Sequence, residues 1–324
     1  MIRPSLVIRP SLVIRRVTAT AAAAMLLLTA AACGADDGAG VRTEGGTSGA
    51  DSGSGSGGGS GAGSGLTEQD NQGTTDDPDI LAGVAAYRDY VLGEMASLQT
   101  ATAAFTDAVR AGDLAQAQAL YAPSRVSWER IEPIAGLIED IDVAVDARVD
   151  DYGSETNPDF TGWHKLEWFL FDQETTEGRA GEYADQLDAD LASLAEQLPD
   201  LEIAPAAVAV GAQELVEEVS RGKITGEEDR YSHTDLWDFA ANIEGAEAVI
   251  DSLDMALNKL DPDLLAEVRA GIAEVFTGLE PYQAPGGGYL SYLELTDDDQ
   301  SGLQASLAAL SESLARVPAA LGLS

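Results

Sequence analysis

Apolar residues recur every three or four positions through most of the chain, from about Asp79 to Ser324. Val84, Tyr87, Val91 and Met95 form one series, and Leu98, Ala101, Ala104 and Phe105 extend it. Leu187, Leu191, Leu194 and Leu198 form another, as do Ile243, Ala246 and Ile250. This spacing marks one face of an α-helix. Turn-forming residues punctuate the pattern at Gly112-Asp113, Asn157-Pro158, Pro199-Asp200, Gly222 to Gly226, Asp261-Pro262 and Pro285 to Gly288. No run of alternating β-branched residues predicts a sheet. Residues 79–324 are therefore expected to be all-α, with about eight helices in two packed up-and-down antiparallel bundles that divide near Pro199 to Pro205. Ser232 followed by Asp235 predicts a helix start that runs through Leu236, Phe239 and Ile243.

The pattern changes towards the N-terminus. Arg15-Arg16 precede an uncharged, Ala-rich run from Val17 to Ala32, too short for a typical membrane span. A basic start and a small-residue end identify residues 1–32 as a secretory signal. The run ends Ala31-Ala32-Cys33-Gly34, and Cys33 is the single cysteine of the chain. It has no partner for an internal disulfide, and its setting resembles a bacterial lipobox, which makes Cys33 the expected lipidation site. From Gly34 to about Thr75 the chain is mostly Gly, Ser, Asp and Thr. Such a stretch buries too little apolar surface to offset its ordering entropy, so residues 33–78 are expected to be a flexible tether. Lipid, tether and helical domain together predict an extracytoplasmic protein anchored to the cell membrane.

The formal net charge is −38. Phosphate recognition needs a basic footprint, so nucleic acid is excluded as an expected partner. A field of this sign draws cations instead.

The chain has only two histidines. The first stands in Gly162-Trp163-His164-Lys165-Leu166-Glu167, ahead of Trp168-Phe169-Leu170-Phe171. His164 and Glu167 lie three positions apart and share a helix face. Their segment is too apolar to lie in water, and buried ionisable groups are costly unless they are paired or bind a metal. Glu129 and Glu132 repeat the spacing upstream, interleaved with Trp128, Ile131 and Ile134. An acidic run follows with Asp140, Asp142, Asp146, Asp150 and Asp151, any of which could complete a site. Carboxylates and an imidazole projecting inward from facing helices are the way bundles build metal centres. This donor set suits iron, and also manganese or zinc. The second histidine, His233, lies near Asp235 at the expected helix start. The pair is either a helix cap or an outer or second set of metal-site residues at the mouth of a cleft.

Several segments occur in the order found in imelysin-like proteins: Trp128 to Ile134, Asp146-Ala147-Arg148, Phe160 to Glu167, and Tyr231 to Leu236 with Asn242 to Ala246. Over its helical part the chain resembles this family, most closely its EfeO/EfeM-type iron-uptake lipoproteins. The resemblance implies two helical bundles and extracytoplasmic binding of ferrous or ferric iron, or another divalent metal. It further implies an EfeUOB-type uptake system with an iron permease and a haem-dependent peroxidase as partners. It maps the metal site onto Glu129, Glu132, Asp146, His164 and Glu167. The place where longer members carry a cupredoxin domain is held here by the Gly/Ser stretch, so the likeness is to the shorter form. A related type is associated with alginate, which makes polysaccharide binding the alternative; Trp163, Trp168 and Trp237 lie near the motifs. No His-Glu-x-x-His motif is present, so no metallopeptidase activity is carried over.

Overall fold

A computed structural model of the chain describes Leu66 and residues 73–323. The expected signal sequence, Cys33 and most of the expected tether lie outside the described residues. Helix α1 (Pro78–Arg110) begins where Asp77 accepts hydrogen bonds from the backbone N–H groups of Asp79 and Ile80. After a turn at Gly112 come α2 (Leu114–Ile131) and a 3-10 segment, Glu132–Leu137. Short helices α3 (Glu139–Val145), α4 (Val149–Tyr152) and α5 (Gly162–Glu167) lead into a π-helical turn, Trp168–Asp172. Then come α6 (Ala180–Gln197), α7 (Pro205–Arg221), α8 (Asp235–Ser252), α9 (Asp254–Leu260), α10 (Pro262–Leu279), α11 (Asp297–Leu314) and α12 (Val317–Ala320). Among the described residues there is no strand, only an isolated bridge between Gln283 and Tyr289. No described helix is long and apolar enough to cross a membrane.

The long helices fall into two groups. In the first, α1 packs on α2 and α6; in the second, α7 packs on α8 and α11, and α10 on α11 and α8. Contact between α2 and α8 joins the groups. Most of the periodic residues face inward: Tyr87, Val91, Leu98 and Phe105 are buried on α1, Leu187 and Leu191 on α6, and Ile243 and Ala246 on α8, whereas Ala104 is exposed and Val84 and Ala101 are half-buried. Fully burying a large apolar side chain contributes about 1.5–3 kcal/mol relative to leaving it exposed.

Glycines govern two close approaches. A Cβ on Gly245 would lie 2.5 Å from the Arg130 carbonyl oxygen, so a bare backbone lets α8 reach α2. Gly162, the first residue of the His164 motif, has φ +76°, and a Cβ there would lie 2.0 Å from the Val145 carbonyl oxygen. Only glycine tolerates both conditions. The start of α5 therefore rests on the end of α3, which brings Asp146 beside His164.

The expected helix start at Ser232 is corrected by three residues. Helix α8 begins at Asp235, and Thr234 occupies its cap position without a side-chain cap hydrogen bond. The Ser232 hydroxyl instead donates to Glu167 Oε1, at 2.9 Å. A buried carboxylate is a stronger acceptor than a helix end is a donor set, because hydrogen bonds to charged groups are the stronger ones.

Candidate metal centre

His164 is 2% exposed and presents both ring nitrogens to carboxylates. Nδ1 lies 3.3 Å from Glu167 Oε2, 3.4 Å from the Tyr121 hydroxyl and 3.9 Å from Asp229 Oδ1. Nε2 lies 3.6 Å from both Asp146 Oδ1 and Glu228 Oε1. Donor atoms of Asp146, His164 and Glu228, and likewise of His164, Glu167 and Asp229, fall within 4.8 Å of one another. A cavity of about 10 Å³ is lined by His164, Glu167 and Glu228 together with Glu227, Arg230 and Tyr231. That is room for roughly one water-sized particle.

Three of the sequence-predicted residues, Asp146, His164 and Glu167, thus converge. Glu129 and Glu132 are buried in the same polar interior but are held by other partners. Lys223, itself 2% exposed, donates to Glu129 Oε2 at 2.8 Å and to Glu132 Oε1 and Oε2 at 3.0 and 2.8 Å. Asn242 donates to both carboxylates, at 2.9 and 2.6 Å. Arg125, fully buried, donates to Glu129, Asp146 and Asp238 and stands 5.7 Å from the centre of the Trp163 ring.

His233 and Asp235 part company. His233 lies before α8 with φ +58°, its backbone bonded to Asp229 and Tyr292. Its imidazole makes no hydrogen bond or ion pair among the described residues, and it belongs to neither donor group. Asp235 is buried and accepts from the Asp229 backbone N–H at 3.2 Å. It props the loop that carries Glu228 and Asp229.

Those two acids are the residues that the sequence pattern missed. Glu228 and Asp229 are buried, and Asp229 is fixed by the Tyr121 hydroxyl at 2.8 Å and the Thr234 hydroxyl at 2.5 Å. In sequence they stand in Gly226-Glu227-Glu228-Asp229-Arg230, which has the look of a solvated acidic loop. The available signal was Lys223 and Tyr231-Ser232 close on either side, a cation and donors with which buried acids can pair.

Acids outnumber cations in this interior. Glu129, Glu132, Asp142, Asp146, Glu167, Glu228, Asp229, Asp235 and Asp238 are all buried, against Arg125, Lys165, Lys223 and His164. Several buried polar atoms have no hydrogen-bond partner: both oxygens of Asp142, Asp146 Oδ2, Asp235 Oδ2, Asp238 Oδ1 and His164 Nε2. Native interiors leave few such atoms, and an ion is one of the explanations. The electrostatics match. Burial, reinforced by Asp146 and Glu218, pushes Asp142 up to about 8. Burial and the neighbouring Asp229 push Asp235 up to about 8. Burial and Arg125 draw His164 down, but the contact with Glu167 and the nearby carboxylates of Glu228 and Asp146 outweigh them and raise it to about 10. Burial also works against the charge of Glu228, yet Lys223, His164 and Arg148 hold its carboxyl well below the usual range. Burial thus favours the protonated form of Asp142 and Asp235, while Asp146 and Glu228 beside His164 are held in the charged form.

The three tryptophans near the motifs lie in separate settings. Trp163 is fully buried, and the Trp168 ring faces the Lys165 ammonium at 5.0 Å. Trp237 lines a separate groove of about 450 Å³ with Arg130, Glu244 and Tyr289, to which the acids around His164 contribute nothing.

The chain matches the imelysin family model over residues 83–317. It is 48% identical over 241 residues to proteins named iron uptake system component EfeO from Escherichia coli and from Shigella flexneri. The matched region covers 74% of this chain and 64% of each relative, so the chain spans less than two thirds of their length.

Proposed function

We propose that this chain, which belongs to the imelysin family, binds iron outside the cytoplasm as a component of an iron-uptake system. The observation that carries the reading is His164: a buried imidazole between carboxylate pairs, lining a cavity sized for a single ion. Carboxylate oxygens with one imidazole suit iron, though affinity alone does not separate it from manganese or zinc. Iron here is cargo, and the residues hold it without transforming it. The relatives' name, iron uptake system component, supports the cargo. The apolar run before Cys33 and the Gly/Ser stretch after it support an extracytoplasmic chain anchored by lipid on Cys33. An iron permease and a haem-dependent peroxidase are the partners this reading implies.

The donor residues come from separate elements. Asp146, His164 and Glu167 come from α5 and the end of α3, whereas Glu228 and Asp229 ride on the loop before α8. Arg125 bonds to Asp146 and lies 3.8 Å from Glu228 Oε1, so a guanidinium balances the acids once the ion has left.

Mild isolation from the native cell envelope, followed by metal and sugar analysis, tests the reading. Iron bound without peptide hydrolysis or saccharide is the expected result. Retained polysaccharide in protein free of metal would replace this reading with the alternative.

A further inference from the structure

The two edges of His164 are not equivalent. On the Nδ1 edge the oxygens are already engaged. Glu167 Oε1 accepts from the backbone N–H groups of Tyr231 and Ser232, at 2.9 and 2.8 Å, and from the Ser232 hydroxyl at 2.9 Å. Its Oε2 meets Nδ1 at 3.3 Å. Both oxygens of Asp229 accept hydroxyl donors, from Tyr121 and Thr234. On the Nε2 edge Asp146 Oδ1 accepts from Arg125, but capacity remains. Nε2 and Asp146 Oδ2 are buried without a hydrogen-bond partner. The 3.6 Å gaps from Nε2 to Asp146 and Glu228 are too long for hydrogen bonds. They suit two donors around one ion, since bonds of about 2.1 Å opened to roughly 110–120° separate donor atoms by about 3.4–3.6 Å. The small cavity is lined by His164, Glu228 and Glu167, with Asp146 behind its wall.

We propose that the ion docks on Nε2, held by His164, Asp146 and Glu228, and that Glu167 is a positioning residue that grips the ring from its other edge. This rests on the reading of His164 as the metal site. Glu167 then acts as the outer carboxylate of a carboxylate–histidine–metal arrangement, fixing Nδ1 as the protonated nitrogen and aiming Nε2. Ser232 and the Tyr231 backbone in turn anchor Glu167. The spacing of His164 and Glu167 along α5 reads as a pair of ligands, but it instead places an orienting acid under a ligand. The second carboxylate ligand comes from the loop before α8.

Only two imidazoles exist in the chain, so ring-nitrogen NMR of histidine-labelled full-length protein titrated with Zn(II) separates the alternatives. The expected result is metal on His164 Nε2, a retained proton on Nδ1, and no change at His233. Metal on Nδ1 overturns the proposal. A His164 signal indifferent to Zn(II) overturns the underlying reading as well, which keeps the two failures distinct. As a second arm, Glu167→Gln is expected to keep zinc on Nε2 with affinity lowered about 10–100-fold. Glu228→Gln is expected to lose the zinc-dependent shift. Loss in Glu167→Gln with retention in Glu228→Gln overturns the assignment. Should either variant fail to fold, Ser232→Ala and Asp146→Asn carry the same two arms.

Discussion

Lys223 holds its buried ammonium 2.8 Å from Glu132 Oε2 and 3.0 Å from Oε1. That contact explains why a glutamate which sequence resemblance maps to the metal site is already neutralised by the protein itself. Lys223→Met should cost about 3–5 kcal/mol, because it leaves the buried Glu132 carboxylate without a countercharge. Chemical denaturation measures the loss, and metal stoichiometry should not change. A stable variant that takes up a second ion would show that Glu129 and Glu132 form a cation site which lysine occupies.

The pH dependence of metal-free stability follows from the raised carboxyl groups. Asp142 and Asp235 titrate near 8 when folded, against 3.8 unfolded. Between those values the folded state binds more protons, so stability falls as pH rises from about 4 to about 8. His164, raised from 6.5 to about 10, acts in the same direction at higher pH. Glu228 and Asp146, both lowered, lend stability that is lost only as pH falls below the usual carboxylate range. Denaturant midpoints across this range should therefore decline towards alkaline pH, and Asp142→Asn should flatten the slope. A midpoint that climbs between pH 5 and 8 would contradict the burial of these acids as charged-form penalties.

Gly162→Ala should damage both fold and site. Its φ of +76° alone costs a residue with a side chain about 1–3 kcal/mol. The Cβ would also meet the Val145 carbonyl at 2.0 Å. Relief requires α5 to lift from the end of α3, which separates His164 from Asp146. Thermal melts should shift down, and zinc affinity should fall further than in a surface alanine control such as Ser301→Ala. Equal zinc affinity in Gly162→Ala would mean that this backbone contact does not position the site.

The helical architecture was legible because it rests on spacing. Gly112 lies between α1 and α2, Gly222 ends α7, Asp261 caps α10, and the leucines of α6 face the core. His164 was legible because an imidazole in so apolar a run needs a reason. What did not show in the chain was the pairing of charges across it. Glu129 and Glu132 share their helix region with apolar residues whether they meet a metal or Lys223, which lies more than ninety residues away. Glu228 and Asp229 belong to a loop, where no periodicity marks which side is buried. His233 shows the converse. Its neighbours Ser232 and Asp235 are structural props, and its own ring is left outside the cluster.

The central claim is that the acids around His164 bind iron as a single site. Anaerobic calorimetric titration of the purified chain with Fe(II), run beside His164→Ala, tests it most directly. Saturation at a single ion per chain is expected, as the small cavity allows, with that binding lost in His164→Ala while its helical circular dichroism is retained. Unchanged Fe(II) binding in a folded His164→Ala would contradict it.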